Sequence, residues 1–156
     1  VILDLLPHLL HQAAFGAIAA VGFGVLFNFG LRALPWCAAS GALTLAVRTL
    51  GQDAGWSLEA ASFAAAFVTS CAVRLLHVRL GTASNAMALV GCIPMVPGSF
   101  FGQAMLGLFA LTAPHLENAE PTIVLTMQYM LRVMFTVGAI GAGLAIPTHL
   151  LRTPDF

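Results

Sequence analysis

Very few residues in this chain have the types and spacing to do chemistry, and most of them cluster around one break. Ile93-Pro94-Met95-Val96-Pro97-Gly98 interrupts a stretch from Leu80 to Leu116 that holds no Asp, Glu, Lys or Arg. Two prolines and a glycine within one turn remove backbone hydrogen bonds that lipid cannot replace. In a discontinuous membrane helix, the amides after Gly98 would form a positive helix end suited to a carboxylate. Carbonyls around Cys92 and Ile93 would face a cation or an ammonium group. Ser99 and Gln103, four residues apart, share a helical face with that amide end. Arg132, well inside a later apolar run, costs at least about 2.5 kcal/mol in a membrane unless paired or hydrated. It is read either as an anion contact or as a residue bonded to helix carbonyls. The plainer alternative for Pro94 and Pro97 is a structural kink whose freed carbonyls are satisfied by neighbouring helices.

Other chemistry is absent from the sequence. No Asp or Glu falls within the interior of an apolar segment, so the chain offers no obvious carboxylate for proton relay or sodium coordination. There is no supported Ser-His-Asp set, no His-Glu-x-x-His helix and no phosphate loop, so no catalytic residue is expected. Cys37, Cys71 and Cys92 are isolated in apolar runs and lack metal-ligand spacing, so no metal or other cofactor is expected. His8, His11, His77, His115 and His149 fall at segment ends or loops, where solvated histidines are common. The six cations are all arginines, balanced by six acids, which leaves no basic patch for nucleic acid.

The elements that must position these residues are apolar helices. Of 156 residues, 60% are hydrophobic and 8% charged, with a mean hydropathy of +0.95. A soluble domain carries about a quarter charged residues, so this composition places the chain in a lipid bilayer. The start, from Val1 to Ala20, lacks a cationic n-region and is interrupted by Asp4, Pro7, His8 and His11, so it reads as structure and not as a cleaved leader.

Five segments can be drawn, giving an all-α polytopic protein with about five transmembrane helices in a single transmembrane domain over residues 1–156. They run from about Leu9 to Leu31, Pro35 to Leu50, Leu58 to Leu76 (with Ser57 as cap), Thr82 to Ala113, and Pro121 to near Pro147. The fourth is broken at Pro94 to Gly98. Its 32 residues would extend roughly 48 Å as one straight helix, too long for one span and too short for two.

With five spans, Arg32, Arg74, Arg79 and Arg152 fall on one side, which the positive-inside rule makes cytoplasmic. The N-terminus is then outside and the C-terminus cytoplasmic. A re-entrant hairpin at segment four would scatter these arginines over both sides. Asn28 and Arg48 approach span ends, where they would anchor at an interface or line a polar cavity. Met127, Met130 and Met134 share one helical face expected to pack against a neighbour. Gly98 with Gly102, Gly138 with Ala142 and Ala139 with Gly143 are small-residue pairs expected to pack helices closely within one subunit.

The run Phe27-Asn28-Phe29-Gly30-Leu31-Arg32-Ala33-Leu34-Pro35-Trp36-Cys37, the motif Ile93 to Gly98, the pair Glu120-Pro121 and the tail Val137 to Pro147 together resemble the threonine/serine exporter family. More narrowly, the chain resembles the small subunit of its split, two-gene form. The resemblance implies a bacterial inner-membrane exporter of threonine, serine or related small carboxylates, driven by the proton motive force. It also implies a larger partner subunit with a related Pro-Gly motif. Only Pro94, Pro97 and Gly98 carry over from the family pattern as site-forming positions; Ser99, Gln103 and Arg132 rest on the residue argument above. Two other readings stand beside this one, a non-transporting membrane scaffold or assembly subunit and a homo-oligomeric pore.

Overall fold

The computed structural model describes residues 2–80, 84–112 and 119–150, and all of the described regular structure is helical. The elements are α1 (Ile2–Leu26), α2 (Leu34–Asp53), α3 (Leu58–Leu80), α4 (Ser84–Cys92), a 3-10 turn (Ile93–Met95), α5 (Gly98–Leu111) and α6 (Ala119–Leu150). His115, Glu117 and Arg152 lie outside the described residues, as do the side chains of Asp4, His77 and Arg79.

Among the described residues three helices are long and apolar enough to cross a membrane, over Leu6–Leu26, Leu58–Leu76 and Glu120–Leu150. The broken pair Ala86–Met95 and Gly98–Leu111 makes a fourth when joined. By length and composition three or four of the described helices qualify against the five spans expected, because α2 falls short of the hydropathy of a lone span. The reason is visible in its sequence, where Ser40, Thr44, Arg48, Thr49, Gln52 and Asp53 dilute the apolar residues. Nevertheless α2 is helical throughout, and it packs against α1, α3, α4 and the 3-10 turn. Ser40 and Thr44 are buried and Arg48 part-buried, and there they find partners that lipid would not supply, whereas Gln52 and Asp53 are exposed at the end of the helix.

Local signals set the helix ends. α1 stops at Leu26, five residues earlier than expected, because Asn28 takes a left-handed conformation (φ 58°). There Phe29 N–H donates to Gly24 O (2.9 Å) and Asn28 N–H to Val25 O (3.0 Å), the paired closure of a Schellman motif. Asn28, expected near a span end, thus terminates the helix. Gly55 (φ 85°) closes α2 in the same way, with Trp56 N–H on Gly51 O (3.0 Å) and Gly55 N–H on Gln52 O (2.9 Å). Ser57 caps α3 as expected, its Oγ accepting from Ala60 N–H at 3.2 Å. α6 runs past Pro147 to Leu150, with the proline buried inside its last turns.

The chain forms two compact units. The first comprises residues 1–95 and 139–156. Its helices approach closely because small residues meet: Gly16 and Ala20 of α1 lie against Gly41 of α2, Gly91 of α4 lies against Ser40, and Gly143 of α6 lies against Phe63 and Ala66 of α3. One apolar cluster in this unit joins Ala65, Ala66, Cys92, Met95 and Ile140, and another joins Ala20, Cys37, Met87 and Val90. In the second unit, residues 96–138, α5 and the first part of α6 run antiparallel. Gly107 admits the Thr126 hydroxyl, and Phe100 stacks on Tyr129 with ring centroids 5.9 Å apart.

Candidate functional site

The break forms where the sequence placed it. α4 ends at Cys92, Ile93–Met95 tightens into a 3-10 turn, and α5 restarts at Gly98. Pro94 and Pro97 have no N–H to donate, so helical bonding cannot continue through the segment. Gly98 N–H instead reaches back to Val96 O at 2.8 Å, and Phe101 N–H opens the helical series by donating to Pro97 O at 3.1 Å.

On the carbonyl side, the freed Met95 oxygen is taken by Arg48, whose Nη1 donates to it at 3.3 Å. Arg48 is the last of three α2 residues at helical spacing. Ser40 Oγ donates to Met87 O at 3.2 Å, while the Thr44 and Thr69 hydroxyls bond each other at 2.7 Å. Ser40, Thr44 and Arg48 therefore form a polar stripe along α4 and the turn that follows it. Arg48, expected to anchor at an interface or to line a polar cavity, is a part-buried side chain bonded to the break. Sequence reasoning singled out Arg48 but missed the stripe, although the i, i+4, i+8 spacing of Ser40, Thr44 and Arg48 was there to be read.

On the amide side, Pro97 offers no capping side chain to α5. Gly98 and Ser99 are exposed, and a Cβ at Gly98 or Gly102 would meet nothing within 4 Å. The expected close packing of that glycine pair within the chain is not found, nor is it at Gly138, where the space is equally open. Only the Ala139–Gly143 pair finds a partner helix within its unit, through Gly143. An uncapped helix start beside open space leaves first-turn amides available to an anion.

Within the second unit, the structure brings Arg132 to this helix start. Its guanidinium lies over the Phe100 ring, 5.4 Å from the centroid, and Phe100 is stacked in turn on Tyr129. Contact with the aromatic face orients the cation without neutralising it. Gln103 lines a shallow groove of about 250 Å³ with Gly107, Thr122, Thr126 and Tyr129. Thr122, Thr126 and Tyr129 were overlooked in the sequence, yet their spacing marks one face of α6. Among the described residues the methionine stripe has no packing partner within the second unit. Met127 is 59% and Met134 69% exposed, so this stripe is not the face α6 buries within the unit. In an apolar helix, periodicity marks a face without saying whether protein or lipid covers it.

A helix broken by Pro-x-x-Pro-Gly, held on its carbonyl side by an arginine and open on its amide side, has the form of a transporter element. The profile of the family described as "Threonine/Serine exporter, ThrE" matches residues 12–150, almost all of the described chain. The chain belongs to the threonine/serine exporter family. No solved structure matches it. As a member of the threonine/serine exporter family, the chain is a component of a membrane transporter and not an enzyme.

Proposed function

We propose that this chain is the small subunit of a split threonine/serine exporter in a bacterial inner membrane. It acts with a larger subunit of the same family and moves threonine, serine or a related small carboxylate outward at the expense of the proton motive force. The observation that carries this reading is the uncapped start of α5 at Gly98, exposed and facing open space in a chain of exporter ancestry. Pro94 and Pro97 keep the segment open, Gly98 leaves room for the substrate carboxylate at the Ser99 amide, Gln103 orients its polar end, and Arg132 supplies the positive charge.

Five crossings complete the proposal, with the N-terminus outside, the C-terminus cytoplasmic and the whole chain acting as one transmembrane domain. α2 counts as a crossing in spite of its hydropathy, because neighbouring helices surround it. The sequence holds no acid inside any apolar segment, so the proton-coupling carboxylate is assigned to the larger subunit. Gly102 of α5 and Gly138 of α6, both open, also suit a helix of that subunit, or of a second copy, at close range.

Co-expression tests the reading. In cells lacking other threonine exporters, both subunits together should lower internal threonine, and either alone should not. Full export by this chain alone would favour a homo-oligomeric pore. Export by the larger subunit that is indifferent to Gly98, Ser99 and Arg132 in this one would favour a scaffold.

A further inference from the structure

Arg48 is only half used in this structure. Its Nη1 donates to the Met95 carbonyl, while its Nε is enclosed and has no hydrogen-bond partner. Among the described residues no carboxylate pairs with it. A guanidinium offers two distinct edges. Nε and Nη2 form the side-on edge that grips both oxygens of a carboxylate in parallel bonds, and Nη1 lies away from it. Met95 thus occupies the nitrogen that leaves the carboxylate-binding edge free.

The surroundings place the enclosed Nε in the interior of the first unit. α2 and α3 run antiparallel, with Thr44 opposite Thr69 and Gly51 opposite Ala61. Arg48 therefore falls near the level of Ala65 and Ala66, which form one apolar cluster with Cys92 and Met95. A cation in such a place carries a large desolvation cost, and one long carbonyl bond offsets little of it. An arriving anion would offset far more.

We propose that Arg48 is a carboxylate-binding residue of the transport cycle, with its guanidinium aimed by the Met95 carbonyl that the proline break sets free. This rests on the transport reading above and deepens it by adding a second, successive carboxylate contact inside the first unit to the one proposed at the start of α5. The enclosed Nε becomes reachable when the Ile93–Pro97 segment moves, so binding is tied to opening of the break. A small mobile metabolite can follow that movement. A fixed acid on a partner helix cannot reach an atom enclosed within this chain.

Two measurements on the assembled two-subunit complex test the proposal. In the first, phenylglyoxal modifies arginines while the complex turns over, and mass spectrometry reads the peptide containing Arg48. Threonine should protect Arg48, and threoninol, which lacks the carboxylate, should not. In the second, Arg48→Lys keeps the charge and a donor for Met95 but has no second edge. KM for threonine should rise about ten- to hundredfold, while inhibition by threoninol stays unchanged. A purely structural arginine would shift neither ligand or both alike, and that result would overturn the assignment. Equal labelling of Arg48 with and without threonine, in a complex that exports threonine, would also overturn it while leaving the transport reading intact. A complex that exports no threonine would instead remove the transport reading, and this assignment with it.

Discussion

Replacing Gly98 by leucine separates a substrate path from a packing device, because the structure sets the expected stability cost near zero. A Cβ at this position meets nothing within 4 Å, and the residue has no left-handed φ to strain. Leucine also suits a helix at least as well as glycine, so stability should stay within about 0.5 kcal/mol of the parent. The new side chain would nevertheless occupy the space before the first amides of α5, where the substrate carboxylate is proposed to sit. Displacing a bound group by about 1 Å can cost on the order of a hundredfold in rate, and a fall of that size is expected here. The assay is efflux of labelled threonine from proteoliposomes containing both subunits, with assembly followed by size exclusion and melting temperature. Gly91→Leu is the contrasting control: its Cβ would lie 2.6 Å from Ser40 Oγ and 2.9 Å from the Ser40 carbonyl carbon. Over-packing there should cost about 1–3 kcal/mol or more and damage assembly as well as transport. Unchanged transport by a stably assembled Gly98→Leu complex would refute the reasoning.

Arg132→Gln should raise the apparent KM for threonine without altering co-purification of the two subunits, since its ring contact with Phe100 lies on an exposed part of the second unit. Thr44→Val should destabilise the first unit by about 1–2 kcal/mol, measured by denaturation in mixed micelles, because it leaves the buried Thr69 hydroxyl without its 2.7 Å partner. Ser62→Ala should be neutral or slightly stabilising in the same assay, because the Ser62 hydroxyl is buried with no partner to lose.

The break was the most legible part of this chain. Prolines without donors and a helix restart at glycine follow from covalent structure, whatever surrounds them, and the 3-10 turn and the start of α5 fall where the sequence placed them. The Ser57 cap was equally local. Asn28 shows the limit of hydropathy, which carried the first segment to Leu31 while a left-handed residue ended the helix at Leu26. Arg48 was judged by its distance from a span end, but its role follows from which carbonyl lies across from it, and that depends on the antiparallel register of α2 with its neighbours. The surroundings of the methionine stripe and of the open glycine pairs were illegible for a related reason. Lipid, partner subunit and protein interior all accept the same apolar or small residues, so spacing alone did not say which one covered them.

The proposal that substrate passes over the start of α5 is tested most directly by labelling Ser99. With Cys37, Cys71 and Cys92 replaced by alanine and Ser99→Cys introduced, the two-subunit complex would be reacted with a small thiol reagent in proteoliposomes. Saturating threonine should slow labelling several-fold, and threoninol should leave the rate unchanged. The same labelling rate with and without threonine, in a complex that still exports it, would contradict the account.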